Sequence, residues 1–351
     1  MGQKSVAAGE RLNAKSVTKF LSNYAIVILI VLMAIFVGLT RPGFLSGNNI
    51  KNLAMNASVR FIIAAGVSGC LITKGTDLSA GRIVGLSACI SATLLQNVTY
   101  SARFFPDLPD FPVIGGLVIS VLVCAAIGAV NGLVIAYLKV PPFIATLGMQ
   151  TIVYGICQVY TGNDPQGGLK PTYTRVANGA LDLIPGVENI PPLKTFLFYI
   201  PFLAIIAIVV GLFMWFLYNK TRHGKYMYAI GGNENAASVA GVNVPFTIIR
   251  IYTLAAILYG LAGFLAGAKA GGASTGFGYE LEAIAACTIG GVSTNGGVGK
   301  VSGILVGVLV FETLKICLQF LNVNPAYTYI VQGVVIVVAV ALDLRKYLAK
   351  K

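Results

Sequence analysis

Charge is scarce in this chain, and acid is scarcest: 12 Asp and Glu stand against 25 Lys and Arg, and all charged residues together make up 11% of 351. So few charges cannot clothe a soluble particle that is 56% hydrophobic with a mean hydropathy of +0.82, which argues against a soluble α/β enzyme. Histidine is limited to His223, so no His-rich metal site can be built. The six cysteines (Cys70, Cys89, Cys124, Cys157, Cys287, Cys317) lie in apolar stretches without C-x-x-C spacing and read as small buried hydrophobes. A nucleotide loop is lacking too. The stretch Asn295–Lys300 fails as one because Thr294 stands where its first glycine belongs, and Val301 replaces the hydroxyl residue. Neither a catalytic nor a cofactor nor a metal site is expected in this chain.

What the chain does have is long apolar runs: Tyr24–Leu39, Val113–Val130, Phe196–Tyr218 and Ile251–Ala268. A hydrocarbon core about 30 Å thick needs roughly 20 helical residues, and these runs, slightly lengthened, supply them. The net charge of +13 is gathered in short blocks, namely Lys4 to Lys19, Lys220 to Lys225 and Arg345 to Lys351. Each block abuts an apolar run, which is the positive-inside pattern; no basic stripe interleaves with aromatics, so nucleic acid is not an expected partner. Placing all three blocks in the cytoplasm requires an even number of crossings. The expectation is an all-α polytopic membrane bundle of about ten helices, near 21–40, 52–73, 80–97, 112–138, 142–161, 195–218, 247–270, 280–293, 300–321 and 327–343. The eighth is short enough to be broken or re-entrant. A cytoplasmic tail (1–20), a permease domain (21–343) and a basic cytoplasmic tail (344–351) complete the division.

The frame G-x-[acid]-L-x-A occurs twice, from Gly75 to Ala80 and from Gly278 to Ala283. Five crossings separate the two, and an odd offset makes the units inverted repeats, which place a substrate path at their interface; chance recurrence in a glycine-rich chain is the alternative. Much of the glycine (41 residues) is expected inside helices, as at Gly290-Gly291 and Gly296-Gly297, and most of it reads as dense packing. Ionisable groups at membrane depth cost about 2.5–3.5 kcal/mol each by insertion scales, so Asp77, Glu280, Glu282 and Glu312 need partners or water. Glu312 reads as an internal ion pair with Lys315, one turn on and near a helix end. Thr76, Asp77 and Ser79 beside Gly75 suit a water-lined passage for a polyhydroxylated solute, since a carboxylate accepts hydrogen bonds from vicinal hydroxyls. Alternatively, Asp77 caps the third helix with Ser79 and pairs with Arg82. Glu280, Asn131, Thr146 and Gln150 are further candidates for the path, the last three equally readable as interhelical glue.

One polar island, 219–246, interrupts the apolar pattern. Gly231, Gly232 and Asn233 should stop the structure before them. Asn233 should cap a short helix starting at Glu234, which Gly241 ends, with Ala236 and Ala237 on a small face. A partner's groove can grip such a helix.

Here the chain resembles a known family. The A-A-x-x-x-G of Ala236–Gly241 is similar to the coupling motif of ATP-binding-cassette importer permeases. GTDLSAGR (Gly75–Arg82), AIGGNENAASVAGVNV (Ala229–Val244), the stretches Val130–Met149 and Tyr279–Gly303 and the tail Val338–Lys351 resemble the ribose/galactose branch, with the galactose/methyl-galactoside side nearer. The loop Gly162–Pro192 departs from it. The resemblance implies a bacterial inner-membrane homodimer that imports a monosaccharide. It implies a separate cytoplasmic ATP-binding subunit, where ATP and magnesium would sit, and a periplasmic or tethered sugar-binding protein. It also implies insertion of Asn233–Gly241 into the ATPase. A proton-coupled carrier using Asp77, Glu280 and Glu282, or a channel, is the competing class.

Overall fold

The computed structural model describes residues 14–183, 191–273 and 278–348. Its helices are α1 (Ala14–Thr40), α2 (Gly47–Ile72), α3 (Ala80–Leu94), α4 (Val113–Tyr137), α5 (Pro142–Thr161), α6 (Pro171–Asn178), α7 (Pro191–Leu197), α8 (Phe202–Lys220), α9 (Arg222–Gly232), α10 (Glu234–Val239), α11 (Val244–Ala270), α12 (Tyr279–Ile289), α13 (Val301–Phe320) and α14 (Pro325–Leu348). Each of the ten expected segments is helical. Among the described residues, six helices are long and apolar enough to cross a membrane: α2, α4, α5, α8, α11 and α13. α1, α3 and α14 carry shorter apolar stretches, and α12 has only 11 residues. The tail expected at 1–20 lies outside the described residues as far as 13, and α14 continues into the basic tail as far as Leu348.

Local chemistry sets the helix ends. Pro142 opens α5, where a missing N–H costs nothing, and Gly162 closes it. The Asn243 side chain accepts from Phe246 N to start α11. The loop expected between Gly162 and Pro192 contains α6, whose Tyr173 is fully buried and donates to the Phe264 carbonyl at 2.6 Å.

α2 runs through the centre, buried without interruption from Phe61 to Ile72. α11, α12, α13 and α8 pack around it. α4 and α8, the most apolar of the six, are mostly exposed, whereas the less apolar α2 is almost entirely enclosed. That inversion suits a chain whose surroundings are hydrocarbon: nothing drives apolar side chains inward, so small and polar residues take the interior.

Close packing there depends on one stripe. Gly116, Ser120, Cys124, Gly128 and Gly132 recur every four residues on α4 and are all buried. A Cβ on Gly128 would meet the Ala256 methyl and the Tyr252 carbonyl, and one on Gly132 the Ile249 Cα at 2.6 Å. From the other side, Gly260 meets Cys124 and Gly263 meets the α3 backbone at Val84. The packing reading thus holds for these glycines. Gly290-Gly291 and Gly296-Gly297 lie outside helices, in the connection between α12 and α13, but Gly290 still packs closely, against the Gly303 carbonyl of α13. All six cysteines are buried and free, as expected.

Gly128→Leu should force α4 off α11 and abolish recovery of folded protein in detergent. Gly128→Ala should survive with a lowered midpoint in a thermal-unfolding assay. Equal midpoints for Gly128→Ala and wild type would show that the contact is loose.

Candidate functional site

The first repeat frame forms a sealed knot. After α2, Lys74 takes a positive φ of 63° and the chain runs extended to α3. Asp77 Oδ1 accepts from Ser79 N at 3.0 Å and from Ser79 Oγ at 2.6 Å. Asn131 of α4 donates to Ser79 Oγ at 3.1 Å. Thr146 of α5 accepts from Leu78 N and donates to the Thr76 carbonyl, both at 3.1 Å. Asp77, Ser79, Asn131 and Thr146 are all buried, while Thr76 and Gln150 are partly exposed. The structure thus brings Thr76, Asp77, Ser79, Asn131 and Thr146 into one network that fixes the start of α3. Arg82 lies over the Tyr154 ring at 4.0 Å, and Lys74 reaches away to the Gly232 carbonyl at 3.3 Å.

The second frame is built differently. Glu280 is buried with its carboxylate against Gly81, so the first turns of α12 and α3 touch. Glu282 Oε2 pairs with Arg60 Nε at 2.8 Å and Lys315 Nζ at 2.5 Å, and Glu312 Oε1 pairs with the same two groups at 2.7 and 3.3 Å. The Glu312–Lys315 pair expected from spacing is present. It belongs to a cluster of four, however, and it sits in the interior of α13 rather than near its end. Spacing within one helix could not find Arg60, 222 positions from Glu282; the available signal was Asn52, Asn56 and Arg60 at four-residue intervals along α2.

The polar island folds as two short helices. Asn233 Oδ1 accepts from Ala236 N at 3.0 Å to open α10, with Glu234 in the first turn. At its far end Gly241 adopts φ +84° and Val242 N bonds the Ala237 carbonyl at 3.0 Å, a left-handed stop that glycine makes at no steric cost. Only Ala237 of α10 is buried, in a small cluster with Ile230 and Val244. Glu234, Ala236 and Val239 are exposed, Val239 at 91%. The stop expected over Gly231, Gly232 and Asn233 is where α9 ends, with Gly231 and Gly232 as its last residues and Asn233 as its cap. Gly232 and Asn233 are exposed, but Gly231 is buried against the Ile72 carbonyl. Gly297 N donates to that same carbonyl at 2.8 Å from a turn where Gly296 and Gly297 both have positive φ.

Burial and the Arg250 cation hold the His223 imidazole of α9 below its ordinary range. The unfolded chain therefore takes up this proton at higher pH than the folded one, and stability rises with pH across the interval below about 6.5. Going from pH 7 to 5.5 should lower the thermal midpoint more for wild type than for His223→Gln; equal losses would remove His223 from the effect. Asp77→Ala strands two buried donors of Ser79 and should cost about 2–3 kcal/mol, read as a lower midpoint in detergent. An unchanged midpoint would mean the knot is not load-sharing.

A family described as "Branched-chain amino acid transport system / permease component" matches residues 49–340. The chain is 45% identical over 346 residues to the galactose/methyl galactoside import permease protein MglC of Escherichia coli (strain K12), covering 97% of this chain and 99% of that one. It is 42% identical to the protein of that name in Haemophilus influenzae, over 96% and 98%. The ribose import permease protein RbsC of Escherichia coli (strain K12) is 35% identical, over 92% and 93%. No solved structure matches. With most of its length inside that family and full-length relatives above 40% identity, the chain belongs to the permease components of ATP-binding-cassette importers.

Proposed function

We propose that this chain is the membrane subunit of an ATP-driven importer of galactose and methyl galactoside. The observation that carries the reading is the 45% identity, end to end, with a permease named for those sugars. In this reading ten helices cross the bacterial inner membrane as two inverted units and both termini are cytoplasmic. ATP and magnesium are bound on a separate ATPase, and a periplasmic or tethered binding protein delivers the sugar.

The α10 helix is the handle for the ATPase. Its outward residues, from Asn233 through Glu234 and Ala236 to Gly241, are free to enter a groove, while Ala237 fastens it to the bundle. Gly231 serves from the inside, transmitting displacement to Ile72 and the turn at Gly297.

A second copy packs against α5. This helix is at once the least apolar and the least buried of the six candidate spans, a combination that suits protein contact better than lipid. Gly148, Thr151 and Gly155 share one face of it, and both glycines have open space beside them. Gln150, on the same helix, lies near the passage between copies. The network of Thr76, Asp77, Ser79, Asn131 and Thr146 shapes the passage wall, and Glu280 joins the two repeat units there.

Reconstituted into liposomes with its ATPase and binding protein, the chain should accumulate galactose only when ATP is supplied; alone under a pH gradient it should accumulate none. Uphill uptake by the permease alone would replace the importer by a proton-coupled carrier. Glu234→Lys should cut ATPase co-purification at least tenfold while the thermal midpoint stays within about 2 °C of wild type, and Gly241→Arg should cut it likewise with a lowered midpoint, because its φ of +84° strains any side chain. Co-purification at wild-type levels would move the handle elsewhere.

A further inference from the structure

The charge cluster of α2, α12 and α13 is more than an internal brace. Arg60 lies 13 residues into α2, about 20 Å along the helix, and Glu312 lies 11 residues into α13, about 16 Å. The cluster is therefore near the middle of two membrane-length helices. Yet it is not sealed: the side chains of Arg60, Glu282 and Lys315 retain 25%, 17% and 16% of their exposure. Hydrocarbon cannot solvate such groups without a cost of kilocalories each, so the open side of the cluster borders water.

The direction of that water is legible on α2. Asn52 is exposed and Asn56 is partly exposed and held by Lys269 of α11; with Arg60 they form a polar line at four-residue spacing from the helix start inward. Beyond Arg60 every residue of α2 is buried. A polar track therefore enters from the end opposite α10 and stops at the cluster.

The chemistry there fits a neutral polyol. Within the cluster two carboxylates meet two cations, and Lys269 on Asn56 adds a further cation at the rim of the track. A carboxylate accepts from vicinal hydroxyls and a guanidinium donates to them. The part-exposed Tyr279 ring, 5.7 Å from the Arg60 guanidinium carbon, offers an apolar face beside them. A cavity of about 10 Å³ among Arg60, Tyr279, Glu282 and Glu312 has room for about one water-sized group. In the repeat frame, Glu282 and Leu281 of the second unit correspond to Ser79 and Leu78 of the first. Ser79 is buried and Leu78 partly buried, whereas Leu281 is 50% exposed. One unit is closed at this position and the other open.

We infer that Arg60, Glu282 and Tyr279 form a sugar-contact station at the inner end of a water-filled entrance, between the end opposite α10 and the sealed half of the bundle. This rests on the importer reading for the identity of the solute, but not for the presence of water.

The test uses the complete transporter in liposomes. Leu281→Cys should react with a charged, membrane-impermeant methanethiosulfonate at least tenfold faster than Val209→Cys on the exposed face of α8, with wild type giving the background of the buried cysteines. Equal rates overturn the entrance, since the face then meets lipid or a second copy. Uptake of galactose and of each monodeoxygalactose is then compared. Glu282→Gln should change the ratio for at least one deoxy sugar by fivefold or more, and Glu282→Asp should keep every ratio within twofold. Fast labelling with all ratios unchanged in Glu282→Gln leaves a hydrated brace and overturns the sugar contact. Fast labelling with no galactose uptake by wild type overturns the sugar while leaving the entrance, which separates failure of this inference from failure of the importer reading.

Discussion

The backbone-to-backbone approach of α4, α3 and α11 is the constraint from which the rest of the architecture follows. In hydrocarbon, helices gain little by hiding apolar side chains from solvent, so association must come from close fit and internal hydrogen bonds. Small residues at every fourth position of α4, met by Gly260, and Gly263 against the backbone of α3 bring the helices near enough for that fit. Once they are that close, polar side chains of α4 and α5 can reach the connection before α3. Asn131 and Thr146 make their bonds to it only because α4 and α5 are held at this distance.

The two repeat frames then diverge according to what packs beside them. The first closes on itself through Asp77 and Ser79 and is held by Asn131 and Thr146. The second begins its helix earlier, at Tyr279, four positions ahead of Ala283, which corresponds to Ala80 at the start of α3. Its second acid, Glu282, is thereby carried toward Arg60 and Lys315. A shared motif has thus become a hydrogen-bonded lock at one frame and part of a charge cluster at the other. The same six-residue pattern serves both because the motif specifies a helix start, while the neighbouring helices specify its electrostatics.

Much of this was legible in the sequence. Apolar length located the helices, since membrane spans need little more than length and composition, and the eighth segment was visible as short. The α10 hairpin was legible almost to the residue because Asn233 and Gly241 carry strong local preferences. Gly231 was not: a buried glycine against a distant carbonyl leaves no local mark, and its neighbours made it look like part of a stop. Arg60 was missed for a related reason. Its partners come from α12 and α13, and only tertiary packing shows that a lone arginine within an apolar run answers two glutamates. The run Asn295–Lys300, which resembles a phosphate loop, owes its glycines to a tight turn docked on the end of α2.

That docking has a mechanical consequence. Where α9, the end of α2 and the turn at Gly297 converge, the Ile72 carbonyl is pressed by Gly231 and bonded by Gly297 N, with no side chain between them to bend or change rotamer. A joint of bare peptide groups has almost no compliance. If α10 is the handle proposed above, a displacement there would reach the connections that lead into α3 and out of α12 through this one carbonyl.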